Sequence, residues 1–180
     1  MELLTIGHSN MEIEEFVTLL QQNSIKALAD IRRFPGSRSF PQFQQSALSQ
    51  SLENVAIEYC WLEALGGRRP KQHLKNPDLN AGLRNVSFRN YGDYMQTAAF
   101  RAGLEELLSL AMEFRTAMMC AESVYWRCHR RLVSDALVAR GESVFHIFPD
   151  GKVRAHQLTP GAKIFRKRVT YPGPPTLFDK

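Results

Sequence analysis

Met119-Cys120-Ala121-Glu122-Ser123-Val124-Tyr125-Trp126-Arg127-Cys128-His129-Arg130-Arg131 is the stretch on which the reading of the fold turns. The run from Arg115 to Ala121 has the short apolar character of a buried strand. It ends in Cys120 and Glu122, and a short connector leads to Cys128, His129 and Arg130, which open a helix. That helix directs Leu132, Val133, Ala136 and Leu137 toward a core and stops at Gly141. Thiol, carboxylate, thiol, imidazole and guanidinium therefore gather at one strand-to-helix junction, the place where open α/β sheets usually bind ligands.

Strand and helix patterns alternate outward from this point. Leu3-Leu4-Thr5-Ile6-Gly7 reads as a first buried strand with His8, Ser9 and Asn10 at its end. Ser9 and Glu12 have capping-box spacing, so a helix is expected to start there, with Ile13, Phe16, Val17 and Leu20 on its apolar face. Ile25 to Ile31 is a second strand, and alternation places Asp30 and Arg32 on one side of it. A turn-forming loop carrying Ser37 and Arg38 follows, then a helix begun by Pro41, then a third strand over Ala56 to Leu62. From Leu65 to about Asn90 the chain is irregular and basic, with six cations opposed only by Asp78. A single long helix is expected from Tyr91 to Phe114, and a fifth strand from Ser143 to Phe148 with a hairpin partner near Val153 to His156. This alternation implies one α/β domain over residues 1–158, a mainly parallel central sheet of about five strands flanked by helices. Residues 159–180 read as a basic, Pro-rich C-terminal tail lying along the surface or mobile.

Composition narrows the class. With 180 residues, 44% hydrophobic and 23% charged, the chain suits one globular domain. No apolar run approaches the roughly 20 residues that span a bilayer, and no signal-peptide pattern opens the chain. A cytoplasmic protein without a membrane partner is expected. Three cysteines cannot form a full disulfide framework, and clustered Cys and His in a reducing compartment signify catalysis or metal binding. The net charge of +5 favours an anionic small molecule or nucleic acid as partner. Composition reveals neither the oligomeric state nor the identity of any cofactor.

These motifs together resemble the DUF488 family, a bacterial and archaeal domain of unknown function. The matching residues are Thr5-Ile6-Gly7-His8-Ser9, Asp30-Ile31-Arg32 with Pro35, Ser37 and Arg38, Leu65-Gly66-Gly67, Tyr91-Gly92-Asp93-Tyr94-Met95, and Cys120-Ala121-Glu122 followed by Cys128-His129-Arg130. The resemblance implies a compact α/β domain and no particular reaction.

The residues themselves suggest an enzyme acting on a nucleotide, a nucleic-acid base or another phosphate-bearing substrate, as a thiol-dependent hydrolase or transferase. Cys128, beside His129, Arg127 and Arg130 at a helix start, has surroundings that favour thiolate, while Cys120 is nucleophile, resolving partner or inert core residue. Glu122 and His129 are acid/base candidates. Arg32, Arg38 and Arg130 form an anion clamp, with His8, Ser9, Asp30 and Ser37 completing the binding set. Metal ranks lower, because Cys-x7-Cys-His is not a usual zinc spacing and adjacent helical residues point about 100° apart. His146 reads as a core histidine, and Asp135 as part of a solvated face. The competing reading is a non-catalytic nucleic-acid or nucleotide-binding module, with the basic 68–89 segment carrying affinity and the Cys/His cluster structural or redox-sensing.

Overall fold

The computed structural model describes residues 1–36 and 38–173. Five strands run parallel: β1 (Glu2–Gly7), β2 (Ala27–Asp30), β3 (Glu58–Trp61), β4 (Thr116–Cys120) and β5 (Ser143–Ile147). After the Pro149-Asp150-Gly151 turn, β6 (Val153–Ala155) pairs antiparallel with β5, giving the order β3-β2-β4-β1-β5-β6. The protein is a single α/β domain with a mainly parallel sheet, as expected, and the hairpin partner makes a sixth strand.

Period-2 alternation divides the strand side chains between two helical layers. Leu4, Ile6 and Leu28 face α1 (Ile13–Gln22) and α2 (Gln45–Glu53), meeting Phe16, Leu20, Leu48 and Leu52. Leu3, Ala29 and Met118 face the opposite layer of α3 (Val86–Tyr94), α4 (Ala98–Glu113) and α5 (Arg130–Ala139), meeting Tyr91, Leu104, Leu107 and Leu132. Each fully buried Leu or Phe contributes about 1.5–3 kcal/mol relative to exposure. The chain leaves β1 through α1 on one face and β4 through α5 on the other. These adjacent strands therefore send their loops in opposite directions, and a crevice opens between their carboxyl ends.

Several expectations change. Ser9 does not cap α1. It sits at φ 48°, its N–H continues the sheet to the Ala121 carbonyl at 2.8 Å, and its hydroxyl donates to Asn10 at 3.2 Å. The helix starts four residues later, with Glu12 at the cap position. The single helix expected from Tyr91 to Phe114 is two, because Thr97 caps a second start by accepting from the Phe100 N–H at 3.2 Å. Gly103 belongs to that second helix for a packing reason: a Cβ there would lie 2.8 Å from the Ala64 Cβ. The basic excursion is partly consumed by the fold. Arg69 donates to the Gly66 carbonyl at 2.8 Å and stacks on Tyr94, while Arg89 donates to the Pro77 carbonyl at 2.8 Å.

The segment after residue 158 does more than cover surface. β7 (Lys163–Phe165) and β8 (Arg168–Thr170) form a hairpin whose two-residue turn, Arg166-Lys167, takes positive φ at both positions, the geometry hairpin turns favour. Tyr171 is then buried. Its N–H donates to Asn80 at 3.1 Å, and its hydroxyl donates to Asp135 at 2.7 Å. Asp135 is thus no solvated residue: it is fully buried and also accepts from the Thr159 N–H at 2.9 Å and from the His156 ring at 2.9 Å. The helical pattern could not place it correctly, since its three partners come from 21 to 36 residues downstream. Among the described residues, no helix is long and apolar enough to cross a membrane.

Candidate functional site

The crevice at the carboxyl edge of the sheet is a cleft of about 790 Å³. β1 delivers His8 and Ser9 to it, β2 delivers Arg32 and Arg33, and β4 delivers Cys120 and Glu122. The connector before α5 adds Arg127, Cys128 and His129. Two glycines permit this convergence. A Cβ on Gly7 would lie 1.8 Å from the Glu122 carbonyl oxygen, so the loop after β4 can cross β1 only where there is no side chain. A Cβ on Gly67 would lie 2.8 Å from His129 Nδ1. The Leu65-Gly66-Gly67 motif therefore gives the His129 ring its room.

His129 Nε2 lies 2.9 Å from the Ile31 carbonyl oxygen. A carbonyl only accepts, so Nε2 carries a proton, and this bond holds the ring with Nδ1 facing the two sulfurs. That atom is 3.6 Å from Cys128 Sγ and 3.8 Å from Cys120 Sγ. The Tyr91 ring packs against His129 at 5.2 Å, with its hydroxyl donating to the Leu65 carbonyl at 2.5 Å. Both thiols are buried. The neighbouring Cys128 first, then burial, push the Cys120 thiol well above its ordinary range. Burial opposes ionisation of Cys128 too, but the neighbouring Cys120, His129 and Arg130 outweigh it, and its pKa lies well below the ordinary thiol value. The Arg130 N–H also donates to this sulfur at 3.4 Å. Of the two, Cys128 is the more acidic thiol. The three donor atoms lie within 4.8 Å of one another, the one such His/Cys/Asp/Glu cluster found among the described residues.

The objection to Cys128 and His129 sharing a ligand does not hold. α5 begins at Arg130, and Cys128 has extended backbone (φ −128°, ψ 153°), so helical angular spacing does not apply to the pair.

The expected anion clamp is built differently. Arg32 is bound to Asp30 through Nη2 at 2.6 Å and Nε at 2.9 Å, and its Nη1 donates to the Phe43 carbonyl at 2.8 Å. Asp30 is fully buried and also accepts from the Tyr59 hydroxyl at 2.8 Å. Alternation did place Asp30 and Arg32 together, but they serve chiefly each other. Arg130 is 1% exposed and lies beneath the cleft. Its Nη2 holds the Glu122 carbonyl at 2.5 Å and its Nη1 reaches Thr5 at 3.4 Å, so it supports the loop that carries Glu122. Arg38 is exposed and off the cleft wall, and Ser37 lies outside the described residues. The cations that line the cleft from exposed positions are Arg68 and Arg127, with Arg33 half-buried beside Phe34. His8 stacks on Phe43 at 4.2 Å, and burial with the nearby Arg32 pushes its pKa down to about 4. It is a neutral wall residue at neutral pH.

Sequence reasoning left Tyr91 and Gly67 out of the site, and named Arg127 only as a neighbour of Cys128 and Arg68 only within the basic segment. The Tyr91-Gly92-Asp93 and Gly66-Gly67 motifs were visible, but only the folded chain brings them against His129.

The family model for Domain of unknown function DUF488 matches residues 12–137, more than half of the chain. The chain belongs to the DUF488 family. The matched region of this DUF488 protein includes Cys120, Glu122, Cys128 and His129, while His8 and Ser9 lie just before it. No curated protein and no solved structure gives a match.

Proposed function

We propose that this DUF488 protein is a small cytoplasmic enzyme acting on a phosphate-bearing substrate of nucleotide size in the switch-point cleft. One observation carries this reading: two thiols, an imidazole held by a backbone carbonyl and a carboxylate residue line an open cleft rimmed by exposed guanidinium groups. Arg68 and Arg127 suit phosphate oxygens, Phe34 and Phe88 offer apolar surface for a base, and Glu122 is placed to exchange protons with a bound ligand. Arg32 and Arg130 act as supports for that wall. The Cys120–Cys128–His129 cluster is the reactive centre.

The test pairs residue-resolved alkylation with direct binding. Nucleoside monophosphates are expected to protect Cys128 from iodoacetamide and to bind saturably, and Arg127→Ala is expected to weaken binding by about tenfold, the scale of one charge-assisted contact. Binding of oligonucleotides that falls steeply with added salt and persists in Cys128→Ala, with no protection by mononucleotides, would replace the enzyme with the nucleic-acid-binding module.

A further inference from the structure

We propose that Cys120 Sγ, Cys128 Sγ and His129 Nδ1 form a three-ligand site for a zinc ion, with the fourth coordination position open to the cleft beside Glu122. The inference rests on reading the cleft as the active site and specifies what its reactive centre holds. Tetrahedral zinc with Zn–S of about 2.3 Å and Zn–N of about 2.0–2.1 Å requires S···N edges of about 3.5–3.6 Å. The two S···N distances here are 3.6 and 3.8 Å, and all three donors lie within 4.8 Å of one another, so the ligand triangle is nearly the right size before any ion enters.

Three further features suit a metal. The Ile31 carbonyl accepts from His129 Nε2, the outer-shell contact that fixes a metal-binding imidazole with its other nitrogen bare. The Arg130 backbone N–H donates to Cys128 Sγ at 3.4 Å, which orients a thiolate without consuming its remaining lone pairs. Gly67 leaves empty the space beside Nδ1 that any side chain would fill, since a Cβ would stand 2.8 Å from that atom. Ligand chemistry selects the ion: two thiolates and an imidazole favour zinc over the hard cations that prefer oxygen. Two thiolates also balance the charge of a divalent ion, so the ion and its two buried sulfur ligands together carry no net charge.

Three protein ligands leave zinc one vacancy, which is the mark of a catalytic rather than a structural site. All three ligands line the cleft, as does Glu122, so the vacancy opens where substrate enters. A zinc ion held by these residues would supply an activated water, and Glu122, on the same cleft wall, would be the base that takes its proton. The sulfurs then hold the metal, and oxygen is the attacking atom.

The experiment is cobalt(II) titration of the full chain after chelator treatment and reduction, with zinc content measured on protein purified without chelators. One ion per chain is expected, with the intense visible bands of tetrahedral cobalt and a sulfur-to-cobalt charge-transfer band in the near ultraviolet. Cys120→Ser or Cys128→Ser should each remove about half of the charge-transfer intensity, and His129→Ala should weaken affinity by at least about 100-fold, more than typical losses of outer-shell contacts. Cys60→Ser, on β3 and outside the ligand group, serves as the control and should leave the spectrum intact. Weak octahedral bands, or a charge-transfer band unchanged in Cys128→Ser, overturn the site; so does wild-type protein, folded by circular dichroism, that takes up no cobalt. The same titration with adenosine monophosphate present separates the two readings. Nucleotide binding to protein that takes no cobalt refutes the metal and leaves the proposed function standing. Stoichiometric tetrahedral cobalt unaffected by any phosphate compound keeps the metal and refutes the choice of substrate.

Discussion

Two missing side chains at the cleft shape it as much as the reactive residues do. Replacing Gly7 by alanine would drive a methyl group into the Glu122 carbonyl at 1.8 Å and toward Arg130 Nη2 at 2.7 Å. Backbone is on one side of that clash, so the loop carrying Glu122 must lift and Arg130 must lose its acceptor. A loss of about 2–3 kcal/mol is expected, at the upper end for overpacking, read as a lower urea midpoint with an unchanged slope. Gly67→Ala differs in kind, because the obstructing group is the movable His129 ring. Stability should fall by less, while iodoacetamide should reach Cys128 at a changed rate, since the ring can no longer keep its 3.6 Å approach to that sulfur. Equal alkylation rates in wild type and Gly67→Ala would mean that the glycine does not position the imidazole.

The C-terminal hairpin and the strand-to-helix connections are tied by a polar latch. Asp93 in α3 accepts from Asn80 at 2.8 Å, Asn80 accepts from the Tyr171 N–H, and the Tyr171 hydroxyl donates to Asp135 in α5. Tyr171→Phe removes one bond to a buried carboxylate and should cost about 1.5–3 kcal/mol. It should also make residues 159–173 cleavable by protease while the sheet stays protected, which limited proteolysis would read; unchanged protection of that segment would show that the hydroxyl is not the latch. These elements also mark what the chain revealed in advance. The sheet, its parallel sense and the location of the cleft were legible because apolar runs and helical periodicity are local signals. Cys128, His129 and Glu122 were legible for the same reason, being crowded at one junction. Asp135 was misplaced, Arg130 was assigned to the ligand instead of the loop beneath it, and Ser9 was given a cap it does not make. Each depends on partners distant in sequence or on a backbone turn that residue type alone does not specify.

Over the whole molecule, a buried histidine couples the fold to acidity. His146 is 1% exposed, stacks on Tyr125 at 3.5 Å and bonds to Thr5 at 2.7 Å and His156 at 2.9 Å. Burial first, then His156 and Arg130, push its pKa from 6.5 down to about 2. An unfolded chain therefore binds a proton below pH 6.5 that the folded chain refuses, and the stability from this residue is complete above 6.5 and is lost as pH falls toward 2. His8 acts in the same sense over the narrower interval from 6.5 to about 4. The urea midpoint should be lower at about pH 5 than at about pH 7.5, and the difference should shrink in His146→Gln. A midpoint independent of pH over that range would remove His146 from the account.

The Asp135 latch also bears on the chain's synthesis. Its carboxylate is enclosed by partners at residues 156, 159 and 171, all later in the chain than the α5 helix that carries it. A nascent polypeptide that has emerged from the ribosome only as far as β5 lacks all three of these donors and the segment that carries them. The seal over the polar side of α5 is thus completed only when the last hairpin is translated, and a chain ending before Tyr171 is expected to be cleaved at α5 sooner than the full chain, which limited proteolysis would read.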